Sequence, residues 1–140
     1  MKVLFPVDGS EYTKRMLACV AVHDELVAPD NEHIFLHVVP ELPPVATRQM
    51  LKGAIEDYYA LQAESVFEPI RAFAKQLGWS CRFEWLHGAA ATQIAGFADR
   101  EGVSLIVMGS HGHGALMNAT LGSVATGVLA RCKLPLLLLR

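Results

Sequence analysis

Three glycines and a serine define the chemistry this chain is able to attempt. Gly109, Gly112 and Gly122 stand as Gly-x2-Gly-x9-Gly, with Ser123 directly after the last. Ser110, His111 and His113 are interleaved with them, so the backbone here is permissive and thinly clothed. Ahead of the loop, Leu105-Ile106-Val107-Met108 is a short apolar run of the kind that forms a strand buried on both faces. Behind it, Leu121, Ala125, Val128 and Cys132 recur at helical spacing, and Gly122-Ser123 opens that stretch. A strand, a glycine-rich loop and a helix N-terminus follow one another, which is an arrangement in which backbone N–H groups and a helix dipole hold phosphate.

Other phosphate motifs fail on spacing. A Walker A loop needs a lysine after its last glycine, yet Lys75 is the sole lysine between Gly53 and Arg131. A dinucleotide fingerprint needs a third glycine where Met117 stands, and no acid follows about 20 residues on. His111-x-His113 lacks a third ligand for zinc, so these histidines read as structural or phosphate-proximal. Nothing near the loop resembles a general base or an arginine finger, which argues against efficient hydrolysis and leaves at most a slow one.

The elements that must position this loop alternate strand with helix. Lys2 to Val7 reads as a first, central strand ending at Asp8; Asp8-Gly9-Ser10 is turn chemistry, with Ser10 as N-cap of a helix from Glu11 to near Ala28. Met16, Leu17, Val20 and Ala21 share one face of that helix. A strand follows at His33 to Val39, then a proline-rich exit loop. Gln49 to Leu77 is helical, with Ile55, Tyr59, Ala63, Val66, Ile70, Phe73 and Leu77 inward and a kink or break expected at Pro69. Ser80 to Leu86 is a third strand and Ala89 to Arg100 a third helix, with Ala91, Ile94, Ala95 and Ala98 inward. Ser104 to Met108 is a fourth strand, and residues 134–139 make a fifth with Pro135 near its start. Such alternation predicts an α/β domain with an open parallel sheet and helices on both faces.

Composition narrows the function classes. The 140 residues suffice for one domain, and the 52% apolar share with mean hydropathy +0.30 fits a sheet covered on both sides. A formal net charge of −2, from 12 basic and 14 acidic residues, gives no electrostatic case for nucleic acid or an anionic membrane. No apolar run reaches the roughly 20 residues needed to span a bilayer, and Pro6 and Asp8 interrupt any secretory core, so the expected location is cytoplasmic. Cys19, Cys81 and Cys132 are too scattered for a disulfide framework or a zinc site. His23, His33, His37 and His87 read as surface or packed residues.

The Gly-x2-Gly-x9-Gly-[Ser/Thr] pattern resembles the ATP-binding branch of the universal stress protein family. The likeness extends to Val7-Asp8-Gly9-Ser10, His37-Val38, Gly88 and the apolar C-terminal strand, and covers residues 1–140. It implies a Rossmann-like five-stranded sheet of order 3-2-1-4-5, with a ligand crevice outside the carboxyl ends of strands 1 and 4. It further implies that Pro6, Val7, Asp8, Val38 and Met108 enclose adenine and ribose. The backbone from Gly109 through Ser110 and His111 to Gly112, together with His113, Gly122, Ser123 and Val124, would take the phosphates of ATP, magnesium arriving on the nucleotide. Bland readings compete: Asp8 as a turn or capping acid, Ser123 as an ordinary helix-start serine. Members of the family often carry Lys or Arg at the position of His113 and in the spacer, whereas residues 113–121 hold neither, so weaker or pH-dependent affinity is expected. The resemblance implies a regulatory homodimer joined through the strand at 134–139, with client proteins unspecified. The alternative is a dimerisation scaffold with a vestigial nucleotide site. A nucleotidyltransferase ranks last, since His111-Gly112-His113 does not reproduce its H-x-G-H signature.

Overall fold

The computed structural model of the chain describes residues 1–114, 118 and 120–140. Strands β1 (Lys2–Pro6), β2 (Glu32–Val39), β3 (Cys81–His87), β4 (Leu105–Gly109) and β5 (Leu136–Leu139) form one parallel sheet in the order β3-β2-β1-β4-β5. Helices α1 (Glu11–Val22), α2 (Pro44–Thr47), α3 (Lys52–Gln76), α4 (Ala90–Glu101) and α5 (Ser123–Arg131) connect them. The expected sheet order is observed.

Strand periodicity explains why both faces are covered. Successive side chains point to opposite faces, so Val3, Phe5, Val7, Phe35 and Val107 pack under α1 and α3 with Met16, Val20, Tyr59, Ala63 and Phe67. Their neighbours Leu4, Ile34, Leu36, Ile106 and Met108 pack under α4 and α5 with Ile94, Phe97, Ala98, Ala125 and Val128. Register ties each layer across the strands. Phe5 lies opposite Phe35, and Phe35 opposite Phe83; their rings stack at 5.0 and 5.3 Å between centroids. On the other face Ile34, Leu4, Ile106 and Leu136 make the corresponding row.

Several boundaries differ from expectation. α1 stops at Val22 because His23 leaves helical geometry (φ −109°, ψ 74°), and Asp24–Val27 continues as a 3-10 turn. The long helix begins at Lys52, preceded by the separate α2, and runs to Gln76 unbroken with Pro69 inside it. Both Pro69 and Ser65, whose carbonyl loses its amide partner, are exposed, so water is at hand to satisfy that oxygen. The inward stripe of α3 is Tyr59, Ala63, Phe67, Ile70 and Ala74. Ile55, Val66 and Phe73 are half-buried and Leu77 is exposed, the stripe having rotated with the 3.6-residue period. On α4, Phe97 is buried while Ala91 and Ala95 are half-buried. Among the described residues no helix is long and apolar enough to cross a membrane.

The middle ring of the phenylalanine row should dominate stability. Phe35→Ala leaves a cavity between two stacked rings and is expected to cost about 3–5 kcal/mol in urea unfolding. A loss below about 1 kcal/mol would mean that the row repacks and is not the rigid spine of this layer.

Candidate functional site

At the point where the chain reverses between β1 and β4, the strand ends part and leave a cleft, as in other open parallel sheets. Its volume is about 330 Å³, within the range of small-molecule pockets. Pro6, Val7 and Asp8 come from the end of β1, and Leu36, His37 and Val38 from β2. Met108 and Gly109 come from β4, and His111 to Gly114 from the loop beyond it. The start of α5 closes the far side with Gly122, Ser123, Val124 and Ala125, while Ala90 and Ile94 of α4 supply one wall.

Asp8 is the knot of this arrangement. Its Oδ1 accepts hydrogen bonds from the Ser10 amide (2.9 Å) and the Thr13 hydroxyl (2.9 Å), and its Oδ2 accepts from the His113 amide (3.1 Å). The His113 Nε2 lies 2.8 Å from the Asp8 carbonyl and, since a carbonyl only accepts, donates to it. Burial pushes the Asp8 carboxyl up, but the hydrogen bonds from Ser10, Thr13 and His113 outweigh it and hold the pKa below its ordinary value of 3.8. The turn itself needs Gly9 at φ +76°. Asp8 thus holds the Ser10 amide and the Thr13 side chain at the opening of α1, while Ser10 occupies the N-cap position without a side-chain capping bond.

The three motif glycines are each pressed against the protein itself. A Cβ at Gly112 would collide with the Asp8 Oδ2. At Gly109 it would fall 2.9 Å from the Tyr12 Cβ, and at Gly122 2.9 Å from the His111 Cα and 3.0 Å from the Ser110 carbonyl. Glycine is demanded here by the loop's packing on α1, on Asp8 and on itself.

The model of the universal stress protein family matches residues 1–140. The chain belongs to that family. It is 28% identical over 155 residues to Universal stress protein MJ0577 of Methanocaldococcus jannaschii, covering 99% of this chain and 94% of that one. With Universal stress protein YxiE of Bacillus subtilis it shares 30% identity over 150 residues, covering 99% and 98% of the two chains. The solved structure of MJ0577 matches this fold with a TM-score of 0.81 over 99% of this chain and 94% of that one. Two more distant structures share the fold. One is a universal stress protein from Archaeoglobus fulgidus in complex with dAMP (TM-score 0.69, 19% identity, 100% and 98% covered). The other is a family member from Arabidopsis thaliana with AMP bound (TM-score 0.70, 16% identity, 99% and 90% covered).

Within this member of the family, the residues singled out from the sequence converge with one exception. Pro6, Val7, Asp8, Val38, Met108, Gly109 and His111 to His113 line the cleft, as do Gly122, Ser123 and Val124. Ser110 does not: it is 3% exposed, its amide donates to the Leu139 carbonyl (2.8 Å), and its own carbonyl accepts from the Gly122 amide (2.7 Å). That amide is spent on the edge strand. The His113 amide is likewise spent, on Asp8. The amides of Ser123, Val124 and Ala125 instead precede the first intrahelical bond of α5, from Thr126 N–H to the Gly122 carbonyl (3.0 Å). Spacer residues 115–117 and 119 lie outside the described residues.

His37 is the functional candidate that sequence reasoning passed over. It is buried, lines the cleft, and its Nδ1 donates to the Val7 carbonyl at 2.7 Å. Burial pulls its pKa down, partly offset by the Val7 hydrogen bond and the Asp8 charge, so the ring is neutral at pH 7 with its proton on Nδ1 and an acceptor at Nε2. A lone histidine on an alternating strand carries no signal for this; only the register beside β1 reveals it. The Val7 N–H is also engaged, with the Leu36 carbonyl (2.9 Å). Among the described residues no group of three or more His, Cys, Asp or Glu could hold a metal ion.

The depressed Asp8 pKa gives a signed pH dependence. Its stabilisation is full above 3.8, the unfolded-type value, and is lost as pH falls through the lower folded value. The stability gap between the native chain and Asp8→Asn, measured by urea unfolding, should therefore be constant near neutrality and shrink as the medium is acidified below that value. A gap that holds steady or widens on acidification would refute the ionised knot.

Proposed function

We propose that the cleft binds an adenine nucleotide and that the protein acts as a nucleotide-responsive stress module, not an efficient enzyme. One observation carries the reading: an apolar cleft at the sheet's reversal point ends on glycine backbone and the first turn of α5. Pro6, Leu36, Val38, Ile94 and Met108 offer the apolar surface a purine needs, and the Ser123 to Ala125 amides offer donors for a phosphate. The family members solved with dAMP and AMP support it. ATP with its own magnesium belongs to the same class of occupant. Hydrolysis finds little support in the site. Asp8, the one carboxylate lining the cleft among the described residues, is held ionised by three donors and is a poor base.

A second reading rests on the sheet edge. β5 is the outer strand beside β4, and Leu137 on it is 37% exposed, with Leu129 of α5 at 50%. An apolar edge strand of this kind is covered by pairing. The scaffold role would have two copies of the chain joined along residues 134–139, with or without nucleotide. Clients and a cytoplasmic setting remain part of this proposal.

Ser123→Asp separates binding from folding. An acid in the first turn of a helix favours the helix dipole while repelling phosphate. Thermal unfolding should be unchanged or slightly improved, and calorimetric affinity for adenine nucleotides should fall about tenfold or more. Unaltered nucleotide affinity in this variant would remove α5 from the site. For the interface, Leu137→Lys should convert a dimer to monomer in sedimentation velocity, and a dimer that survives the lysine disproves pairing through β5.

A further inference from the structure

Among the described residues, the cleft is lined by no permanent positive charge. Of the described residues lining it, none is Lys or Arg, and the spacer at 113–121 adds none. The basic side chains that reach it are His37, His111 and His113. Of these, His37 is buried with its Nδ1 proton committed to Val7, and His113 donates from Nε2 to the Asp8 carbonyl. The fixed charge present is negative, on Asp8. Anion affinity therefore rests on uncharged backbone donors, chiefly the first turn of the nine-residue helix α5, whose residues Ser123, Val124 and Ala125 line the cleft. A helix terminus amounts to roughly half a charge, acting over its first turn. That is enough for one phosphate group and does not extend along a chain of three.

Resting on the adenine-nucleotide reading above, we propose that the preferred occupant of this cleft is an adenine nucleotide bearing a single phosphate group. Each further phosphoryl group lowers its affinity. A second or third phosphate brings more negative charge into a cleft whose lining carboxylate is Asp8 and whose spacer has no cation, and the interaction is repulsive at every distance short of full screening. The site thus selects by charge against the triphosphate, and magnesium on the polyphosphate would reduce the selection.

The test is calorimetry with adenosine, AMP, ADP and ATP in EDTA at mildly alkaline pH, where free imidazole is neutral. AMP should bind tightest among the nucleotides, with ATP about three- to tenfold weaker. Added salt should narrow the AMP–ATP gap by screening the repulsion, whereas a cation-lined site would lose ATP affinity as salt rises. His113→Lys, which places a permanent cation on the loop, should raise ATP affinity several-fold more than AMP affinity. ATP binding tighter than AMP in EDTA, with affinity falling in salt, overturns the inference and leaves the nucleotide reading intact. If none of the four ligands binds, the nucleotide reading itself fails and the inference falls with it.

Discussion

One buried-edge carboxylate governs the geometry of this molecule's working end. Asp8 gathers the Ser10 amide, the Thr13 hydroxyl and the His113 amide onto its two oxygens. It thereby joins the end of β1, the beginning of α1 and a loop more than a hundred residues away. A carboxylate with three donors is held ionised despite partial burial, because hydrogen bonds to the charged form outweigh desolvation. Three segments that would otherwise move independently share one anchor. The cleft keeps its shape because that anchor keeps them in register.

The glycine motif looks different in this light. Glycines beside phosphate are commonly explained by the approach of a ligand to bare backbone, but here Gly109, Gly112 and Gly122 face Tyr12, Asp8 and the His111 backbone. Their lack of a side chain is used up before any ligand arrives. The loop is then set by the protein's own packing, and a ligand finds α5 and the strand ends already disposed around it. Preorganisation of that kind lowers the entropic cost of binding. It also means that enlarging a motif glycine damages the fold and the site together, so such variants report on neither alone.

Much of the architecture was legible because it depends on periodicity, which is local. Alternation of Leu4 and Phe5, of Ile34 and Phe35, and of Ile106 and Val107 marks strands covered on both faces, and the two layers are assembled from those alternate residues. The strand order came through family resemblance, since no local pattern states which strands become neighbours. Boundaries failed where tertiary contacts overrode the pattern: Pro69 did not break α3, and Phe67 rather than Leu77 joined the core. In the site, residue types were readable and their partners were not. Ser110 sits inside the motif yet turns its amide to Leu139, and His37 sits outside any motif yet lines the cleft. Both depend on which strand lies alongside, information that residue spacing does not carry.

The electrostatics of the cleft follow from the same knot. Helices α1 and α5 both begin at the carboxyl edge of the sheet, and each N-terminus is a partial positive charge. At α1 the Asp8 carboxylate already occupies that end through Ser10 and Thr13, so the dipole there is spent on an internal anion. At α5 the opening position is taken by Gly122, which has no side chain to cap the helix. The two sides of the cleft therefore differ in sign: an ionised acid on the β1 side, the partial positive end of α5 on the other. That difference in sign arises from an acid that the chain has placed beside α1 and not beside α5, and it requires neither lysine nor arginine.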